Sequence, residues 1–467
     1  MEKLKKSKFK MPHSLVIVAI IVLITALMTW VIPAGEYVRV ENSMGIKVID
    51  PNSFEYVAKQ PVNILKLPIF AMEGYISTVS LIFVILFSGG AFDVITSSGA
   101  LQSLIAKFAK KYSTKESIFI PMLTLIFALI CTTQGVNTFI GFAPVMVLMA
   151  KAFGFDSIVG AGIILLGGAV GFSTGTLNVN TTIIAQRIAE LPLYSGIGYR
   201  AFSFVVFYIV TNIYLIRYAK KIRLNPELSP MYELDKLESA KEDMTEDVAG
   251  PMTLRKWLVI ATLFGVLAII VYGGIKLDWG LKETGALFIW MGIIAGVAAG
   301  FGPSKIAQCF VNGAKRMIGA ALIIGLARSV SAVLTAGLIM DPTIHGLATV
   351  MSYIPKYLQG AFLYISNILI NGFITSGSGQ AAAVMPIFVP LGDMIGITRQ
   401  TTILAFNFGD GFSNYILPTS TALMGILGAS NIPYDKWMKF MWKLFLIWIA
   451  VGSLLMLGAQ IINLGPM

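Results

Sequence analysis

The sequence predicts an all-α polytopic membrane protein made of inverted repeats, with two re-entrant hairpins, two broken helices and about nine full transmembrane helices. Three observations predict it: long uncharged apolar runs, basic residues confined to the short loops between them, and a Gly-Phe-Ser motif that recurs after a polar-tipped hairpin in each half. The 467 residues are 56% hydrophobic and 13% charged, with a mean hydropathy of +0.79. That is more apolar material than one water-soluble core hides, so lipid is the solvent for much of it.

The elements follow in order. A basic start leads into a first span over 14–32, close to the ~20 apolar residues that cross a ~30 Å hydrocarbon layer. It lacks a small-x-small cleavage site and reads as a spanning helix, not a signal peptide. A polar external loop over 35–60 precedes a second span over 74–96. The stretch 101–112, with Lys107, Lys110 and Lys111, has the amphipathic pattern of a helix lying on the inner surface. Residues 117–153 hold two apolar arms around Thr132, Thr133, Gln134, Gly135, Val136, Asn137 and Thr138. Each arm of about 15 residues reaches about 23 Å, too short to cross, which predicts a re-entrant hairpin. An apolar segment over 158–190 is interrupted by the Gly- and Asn-rich run 171–182, a break tolerated at membrane depth only where it is buried or lines a cavity. A span over 201–216 closes the N-terminal repeat, 1–216.

Residues 217–256 turn polar, with Pro226, Pro230 and an acidic run at 242–247, and read as a cytoplasmic linker. Connecting spans over 257–272 and 285–301 follow, within 257–301. The C-terminal inverted repeat, 302–467, then restates the plan: a span over 317–340, a surface stretch over 342–360, and a re-entrant hairpin over 361–395 tipped by Thr375, Ser376, Gly377, Ser378, Gly379 and Gln380. A broken helix over 399–430 and a last span over 439–457 complete it.

Charge sets orientation. The formal charge is +11, from 35 Lys plus Arg against 24 Asp plus Glu, and the basic residues cluster at 3–10, 107–115 and 217–223. That is the positive-inside signature of a cytoplasmic face, not a nucleic-acid footprint. The expectation is a multi-pass protein of the inner (plasma) membrane with its N-terminus cytoplasmic and its C-terminus external. Cys131 and Cys309 are far apart, and His13 and His345 are too few for a metal cluster, so no cofactor is expected beyond Na⁺ or H⁺ as a coupling ion. No Walker loop or nucleophile-base motif stands out, which argues against an enzyme.

The repeat is explicit. Gly171-Phe172-Ser173 recurs as Gly411-Phe412-Ser413, and at the same spacing Leu177 matches Leu417 and Thr181 matches Thr421. Each copy follows a hairpin in which a proline stands the same distance past a tip glycine, Gly135 to Pro144 and Gly377 to Pro386. With the first hairpin entering from the cytoplasm and the second from outside, the two repeats are antiparallel.

Two tips and two breaks arriving from opposite sides meet near the midplane. Half-helix N-termini there attract carboxylates, and unwound carbonyls and hydroxyls suit Na⁺. The candidate substrate residues are therefore Gln134, Gly135, Asn137 and Thr138 at the first tip, and Ser173, Thr174, Asn178, Asn180 and Thr181 at the first break. Ser376, Gly377, Ser378 and Gly379 form the second tip, with Asp410, Ser413, Asn414, Thr419, Ser420 and Thr421 at the second break. A Na⁺ site is expected near Asn137, Ser173, Ser378 and Asp410. Asp410 is the most informative residue, because a carboxylate at that depth is expensive unless it binds something positive: a coupling cation, a proton or a cationic group of the substrate. Each of these polar residues also has a bland reading, in which it only satisfies backbone groups at a helix kink. Asp93 and Arg328 stand at corresponding places and read either as partners for each other or for the backbone, or as functional residues. Arg187 and Glu190 read as a local pair, and Trp30, Trp437, Trp442 and Trp448 as interface or packing aromatics.

The run Lys8-Phe9-Lys10-Met11-Pro12-His13, leading to Trp30-Val31-Ile32-Pro33-Ala34-Gly35-Glu36-Tyr37, resembles the start of the YfcC family. Asn407 to Phe412 followed by Leu417-Pro418-Thr419-Ser420, and Ser376 to Gly379 before Met385-Pro386, resemble its later motifs. The likeness extends over essentially the whole chain. The family belongs with the DcuC-type C4-dicarboxylate carriers, in the ion-transporter superfamily that includes the INDY and AbgT carriers. The resemblance implies secondary transport with paired hairpins, by an elevator motion in a homodimer. Gln134 to Thr138 and Ser376 to Gln380 occupy the places of that superfamily's Ser-Asn-Thr tips.

The expected function is a secondary active transporter, symporter or antiporter, of a small carboxylate-bearing metabolite. An amino acid is preferred over a C4-dicarboxylate because Asp410 is a poor neighbour for a dianion without an intervening cation, and the names applied to the resembled family range from C4-dicarboxylates to basic amino acids such as arginine and ornithine. A channel and a membrane-embedded enzyme are the rival classes. The first needs a continuous polar path, the second a convergent acid, base or metal set.

Overall fold

The computed structural model describes residues 13–41, 47–50, 52–101, 103–104, 116–243, 251–277, 279–351 and 353–465. The surface segment expected over 101–112, with Lys107, Lys110 and Lys111, lies largely outside them, as does most of the acidic run at 242–247. The protein is mostly helical, as a chain that must satisfy its backbone in lipid has to be. Among the described residues, five helices are long and apolar enough to cross a membrane: Val79–Ser97, Ile197–Leu224, Leu281–Ala298, Pro303–Ala336 and Tyr434–Ile461. Ser14–Val31 opens the described chain, with the His13 side chain accepting from the Leu15 amide, and Leu254–Lys276 precedes Leu281–Ala298.

The loop expected over 35–60 carries the only strands among the described residues. Gly35–Glu36 pairs antiparallel with Glu55–Tyr56, and Arg39–Glu41 with Lys47–Ile49. The loop is anchored to the second half. Asp341 accepts from the Tyr37 amide at 3.1 Å and from Arg39 at 3.1 Å, while the Tyr37 hydroxyl meets His345 at 2.9 Å. Burial, with Asp341 close by, pushes the Tyr37 hydroxyl up to about 12, so it stays protonated at ordinary pH. The first part of the surface stretch expected over 342–360 is thus a half-buried helix, Met340–Met351, with Asp341, Ile344, Ala348 and Met351 inside, while Tyr353, Tyr357 and Leu358 beyond it are exposed.

The helices fall into two packing groups. Pro303–Ala336 packs against Val79–Ser97, Leu67–Ser77 and Ser14–Val31, and Leu281–Ala298 lies on Val79–Ser97. In the other group, Glu116–Cys131 and Ala143–Ala152 flank Ser157–Ser173, while Gln359–Asn371 and Gly377–Ile395 flank Arg399–Ser413. The arms of each hairpin pack on the broken helix that follows them. That answers their short length: each arm buries its apolar face on a neighbour within the protein.

Both broken helices stop on the repeated serine. Ser157–Ser173 and Arg399–Ser413 each end there, followed by Thr174 and Asn414. The chain resumes as the π-turn Val179–Ile183 with the helix Ile184–Ile188, and as the helix Thr421–Ala429. Each resumed segment crosses to the other half, Ile184–Ile188 packing on Gly377–Ile395 and Thr421–Ala429 on the 3₁₀ turn Val136–Phe142. The starts of Ile197–Leu224 and Arg399–Ser413 are tied together by Arg200, 1% exposed, which donates to the Ser195 carbonyl at 2.5 Å and to Gln400 Oε1 at 3.0 Å.

Two expected pairings and one expected span differ. Asp93 pairs with Arg316 at 2.5 Å and not with Arg328, one helical face and three turns away on the same long helix. Glu190 meets Arg399 at 3.5 Å, across the two breaks, in place of the local pair with Arg187. The span expected over 317–340 is a 34-residue helix, Pro303–Ala336, because its basic first turns Lys305 to Arg316 continue the helix beyond the apolar run. Trp437 and Trp448 are packing aromatics, their ring N–H groups donating to the Tyr415 carbonyl and to Thr211 Oγ1, both at 2.9 Å.

Candidate functional site

Both tips and both breaks line one cavity of about 410 Å³. From the first hairpin come Gly135 and Asn137, and from the second Ser376, Gly377 and Ser378. The first break contributes Thr181, and the second Asn414, Ser420 and Thr421. The expected convergence is therefore present in nine of the candidate residues. The wall opposite is one that hairpin reasoning missed: Ser77, Thr78 and Ser80, where Leu67–Ser77 passes into Val79–Ser97, and Arg328. Its signal in the sequence was the hydroxyl cluster inside an apolar span.

Local chemistry shapes each tip and break. Ser376 caps the helix Gly377–Ile395 by accepting from the Gly379 amide, and Ser420 caps Thr421–Ala429 by accepting from Leu423, so both helix N-termini open on the cavity. Asn178 Oδ1 accepts from the Thr181 amide at 3.1 Å and starts the π-turn. Gly175 turns the first break at φ +63°, and a Cβ there would run into Asn407 and Thr182.

The other candidates stand behind this wall. Thr174 is buried and donates to the Val170 carbonyl at 2.8 Å, which closes its helix. Ser413 donates to the Gly409 carbonyl at 2.6 Å and accepts from Asn371 Nδ2 at 2.8 Å. Gln134, Thr138, Gly379 and Thr419 flank the tips and the second break without lining the cavity. Asn180 lies in the π-turn, and its side chain is outside the described ones.

Asp410 is 1% exposed and does not line the cavity. Neither carboxylate oxygen has a hydrogen-bond partner among the described residues, although Asn371 and Asn414 both donate to its backbone carbonyl, at 2.9 and 2.8 Å. Gly377 separates it from the cavity: a Cβ on that glycine would stand 3.0 Å from Asp410 Oδ2 and 2.6 Å from Thr181 Cγ2. Around it, Ser173 Oγ, Asn371 Oδ1 and both polar atoms of the Asn407 side chain are also buried without partners. Such a set of orphaned polar atoms, all but one of them oxygens, fits a small cation or a proton more than an apolar core.

A second cavity of about 450 Å³ lies by the Asp93–Arg316 pair and Lys151. Its charges are spoken for, since Lys151 pairs with Asp235 at 3.1 Å.

The chain matches the family model described as "DcuC: C4-dicarboxylate anaerobic carrier" over residues 11–461. It belongs to the DcuC family. Within this carrier family it is 30% identical to an Escherichia coli (strain K12) protein named "Putative basic amino acid antiporter YfcC", covering 98% of this chain and 97% of that protein. An uncharacterized protein of Haemophilus influenzae is 28% identical over 97% of each chain. Among solved structures, the Alcanivorax borkumensis YdaH transporter aligns at TM-score 0.41 with 16% identity, covering 96% of this chain and 98% of that one. Neisseria gonorrhoeae MtrF, titled as illuminating a class of antimetabolite efflux pumps, aligns at 0.40 with 15% identity over 96% and 95%. The DcuC-family protein is thus a membrane transporter by family, with apolar helices to match.

Proposed function

We propose that the protein is a secondary active transporter, a symporter or antiporter, that binds a small carboxylate-bearing metabolite in the cavity between its two hairpin tips. The observation that carries this reading is that both tips and both breaks, far apart in sequence, face one volume of about 410 Å³, a size suited to a small metabolite. The two repeats would be antiparallel, with the hairpins entering from opposite faces, and the substrate would be carried by an elevator motion within a homodimer. Na⁺ or H⁺ would be the coupling ion, held at Asp410.

An amino acid is the preferred substrate, basic ones included. The support is the unpartnered Asp410 carboxylate directly behind Gly377, within reach of a positive group at the second tip, and the name of the E. coli relative. A C4-dicarboxylate is the second reading. It is favoured by a cavity wall with no acidic side chain among the described residues and by the family description, and it requires a cation at Asp410.

The test is counterflow in proteoliposomes loaded with arginine, ornithine, neutral amino acids, succinate or fumarate, with and without Na⁺ or pH gradients. Stimulated exchange of amino acids alone supports the first reading, and of dicarboxylates alone the second. Exchange of neither, by protein that is folded and inserted, rejects the transport proposal for these classes, and unitary currents would replace it with a channel.

A further inference from the structure

Among the described residues the cavity wall holds a single ionised side chain, Arg328, and no described partner accounts for its charge. Its expected partner, Asp93, is occupied by Arg316 at 2.5 Å. Among the described residues no carboxylate lies within ion-pairing distance of Arg328, and no backbone or side-chain oxygen accepts from it. A guanidinium stays charged at any ordinary pH and carries five N–H donors in a planar fork, so a half-buried, unpaired one inside an apolar helix is costly unless it has a ligand to meet.

The rest of the wall points the same way. Ser77 and Thr78 already donate to the Gly74 carbonyl, at 2.9 and 2.8 Å, so their hydroxyls are left mainly as acceptors. Across the cavity stand the first residues of Gly377–Ile395 and Thr421–Ala429, whose free amide ends are partly positive. A cation would find no carboxylate on this surface. An anion would find a fork of donors on one side and helix N-termini on the other.

We propose that Arg328 is the residue that recognises the substrate's carboxylate, taking its two oxygens side by side. This deepens, and rests on, the reading of the cavity as the substrate site. It also gives the substrate an orientation: the carboxylate lies toward Pro303–Ala336, and the remainder extends toward the tip glycine Gly377. Because Arg328 belongs to one packing group of helices and the tips to the other, the bound substrate bridges the two.

The experiment compares acids with their amides. Proteoliposomes carrying wild type, Arg328→Gln or Arg328→Lys are assayed for counterflow, with competition by arginine against argininamide and by succinate against succinamide. In the wild type the acid of the transported class competes and its amide does not. Arg328→Gln raises KM for the acid by about ten- to a hundredfold, the scale of a lost charge-assisted bidentate contact, and brings acid and amide close to equal competition. Arg328→Lys, which keeps the charge without the fork, falls between, and it decides the matter if the glutamine variant does not fold. A merely structural arginine would change expression or melting temperature but leave the acid-to-amide ratio as in the wild type. Wild-type transport with that ratio unchanged in the folded variants overturns the role of Arg328 alone. A wild type that exchanges none of the four probes and no neutral amino acid overturns the transport reading for these classes, and this proposal with it.

Discussion

At the scale of single residues, Asp410 and Gly377 form the sharpest pair. A buried carboxylate with no hydrogen bond to either oxygen destabilises the fold that holds it, by a few kcal/mol at least in the membrane interior. Asp410→Asn keeps the shape and removes the charge. The expected outcome is a melting temperature in detergent no lower than wild type, together with loss of ion- or proton-driven accumulation and retention of counterflow. A folded variant with unchanged accumulation and unchanged pH dependence would reduce Asp410 to a structural role. The two tip glycines separate by the same logic. Gly377→Ala sets a methyl 2.6 Å from Thr181 Cγ2 and 3.0 Å from Asp410 Oδ2, whereas at Gly135 a Cβ meets nothing within 4 Å. Uptake is therefore expected to fall at least about tenfold in Gly377→Ala, the result of about 1.4 kcal/mol of strain, and to stay near wild type in Gly135→Ala. A bulky side chain at Gly135 would still fill the cavity and block it.

At the scale of elements, the repeated Gly-Phe-Ser motif does different work in its two copies. Ser173 and Ser413 end their helices alike, but Gly411 packs against Ser173 itself while Gly171 packs against the Ala128 carbonyl of the first hairpin. Gly411→Ala should force the two broken helices apart at a cost of about 1–3 kcal/mol, read as a melting temperature lowered by several degrees. The same scale explains how the linker is held. Asp156 caps Ser157–Ser173 by accepting from the Val159 amide at 2.9 Å, and it also accepts from Tyr218 at 2.5 Å and from Ser229 at 2.6 Å. Asp235, on the linker helix Tyr232–Asp243, accepts from the Ser157 amide at 3.0 Å. Asp156→Ala removes one end of this clasp at a cost of about 1–3 kcal/mol. Limited proteolysis should then cut within 226–243 faster than in the wild type. Equal cleavage rates would show that the clasp does not hold the linker.

At the scale of the whole molecule, both tips line the same cavity in this structure, while the proposed antiparallel arrangement would have them entering from opposite faces. Single cysteines at Asn137 and Ser378, in a background lacking the buried Cys131 and Cys309, should react with impermeant thiol reagents in a substrate-dependent way. Labelling of both from one face under every condition would contradict the inverted arrangement. Hydropathy, charge bias and the Gly-Phe-Ser repeat were enough to read from the sequence the membrane class and the four polar interruptions, while the motif runs from Lys8, Trp30, Ser376 and Asn407 carried the likeness that the family match bears out. Those features are local. An interruption of an apolar run must be buried or wet wherever it lies, so nine of the candidate residues on the cavity wall could be named from composition and spacing alone. Which charges pair could not be read in that way. Asp93 meets Arg316 and not Arg328, and Glu190 meets Arg399 and not Arg187, because a side chain's partner depends on the rotation and crossing of two helices, which apolar periodicity does not encode. The wall formed by Ser77, Thr78, Ser80 and Arg328 was hidden for the same reason. Its residues become a surface only when Pro303–Ala336 packs across the junction of Leu67–Ser77 and Val79–Ser97. The sequence by itself determined that this chain lives in lipid and opens its backbone at four places. Only the tertiary structure decided that these places face the Arg328 guanidinium and set Asp410 behind Gly377, since both facts arise from how separate helices pack against one another.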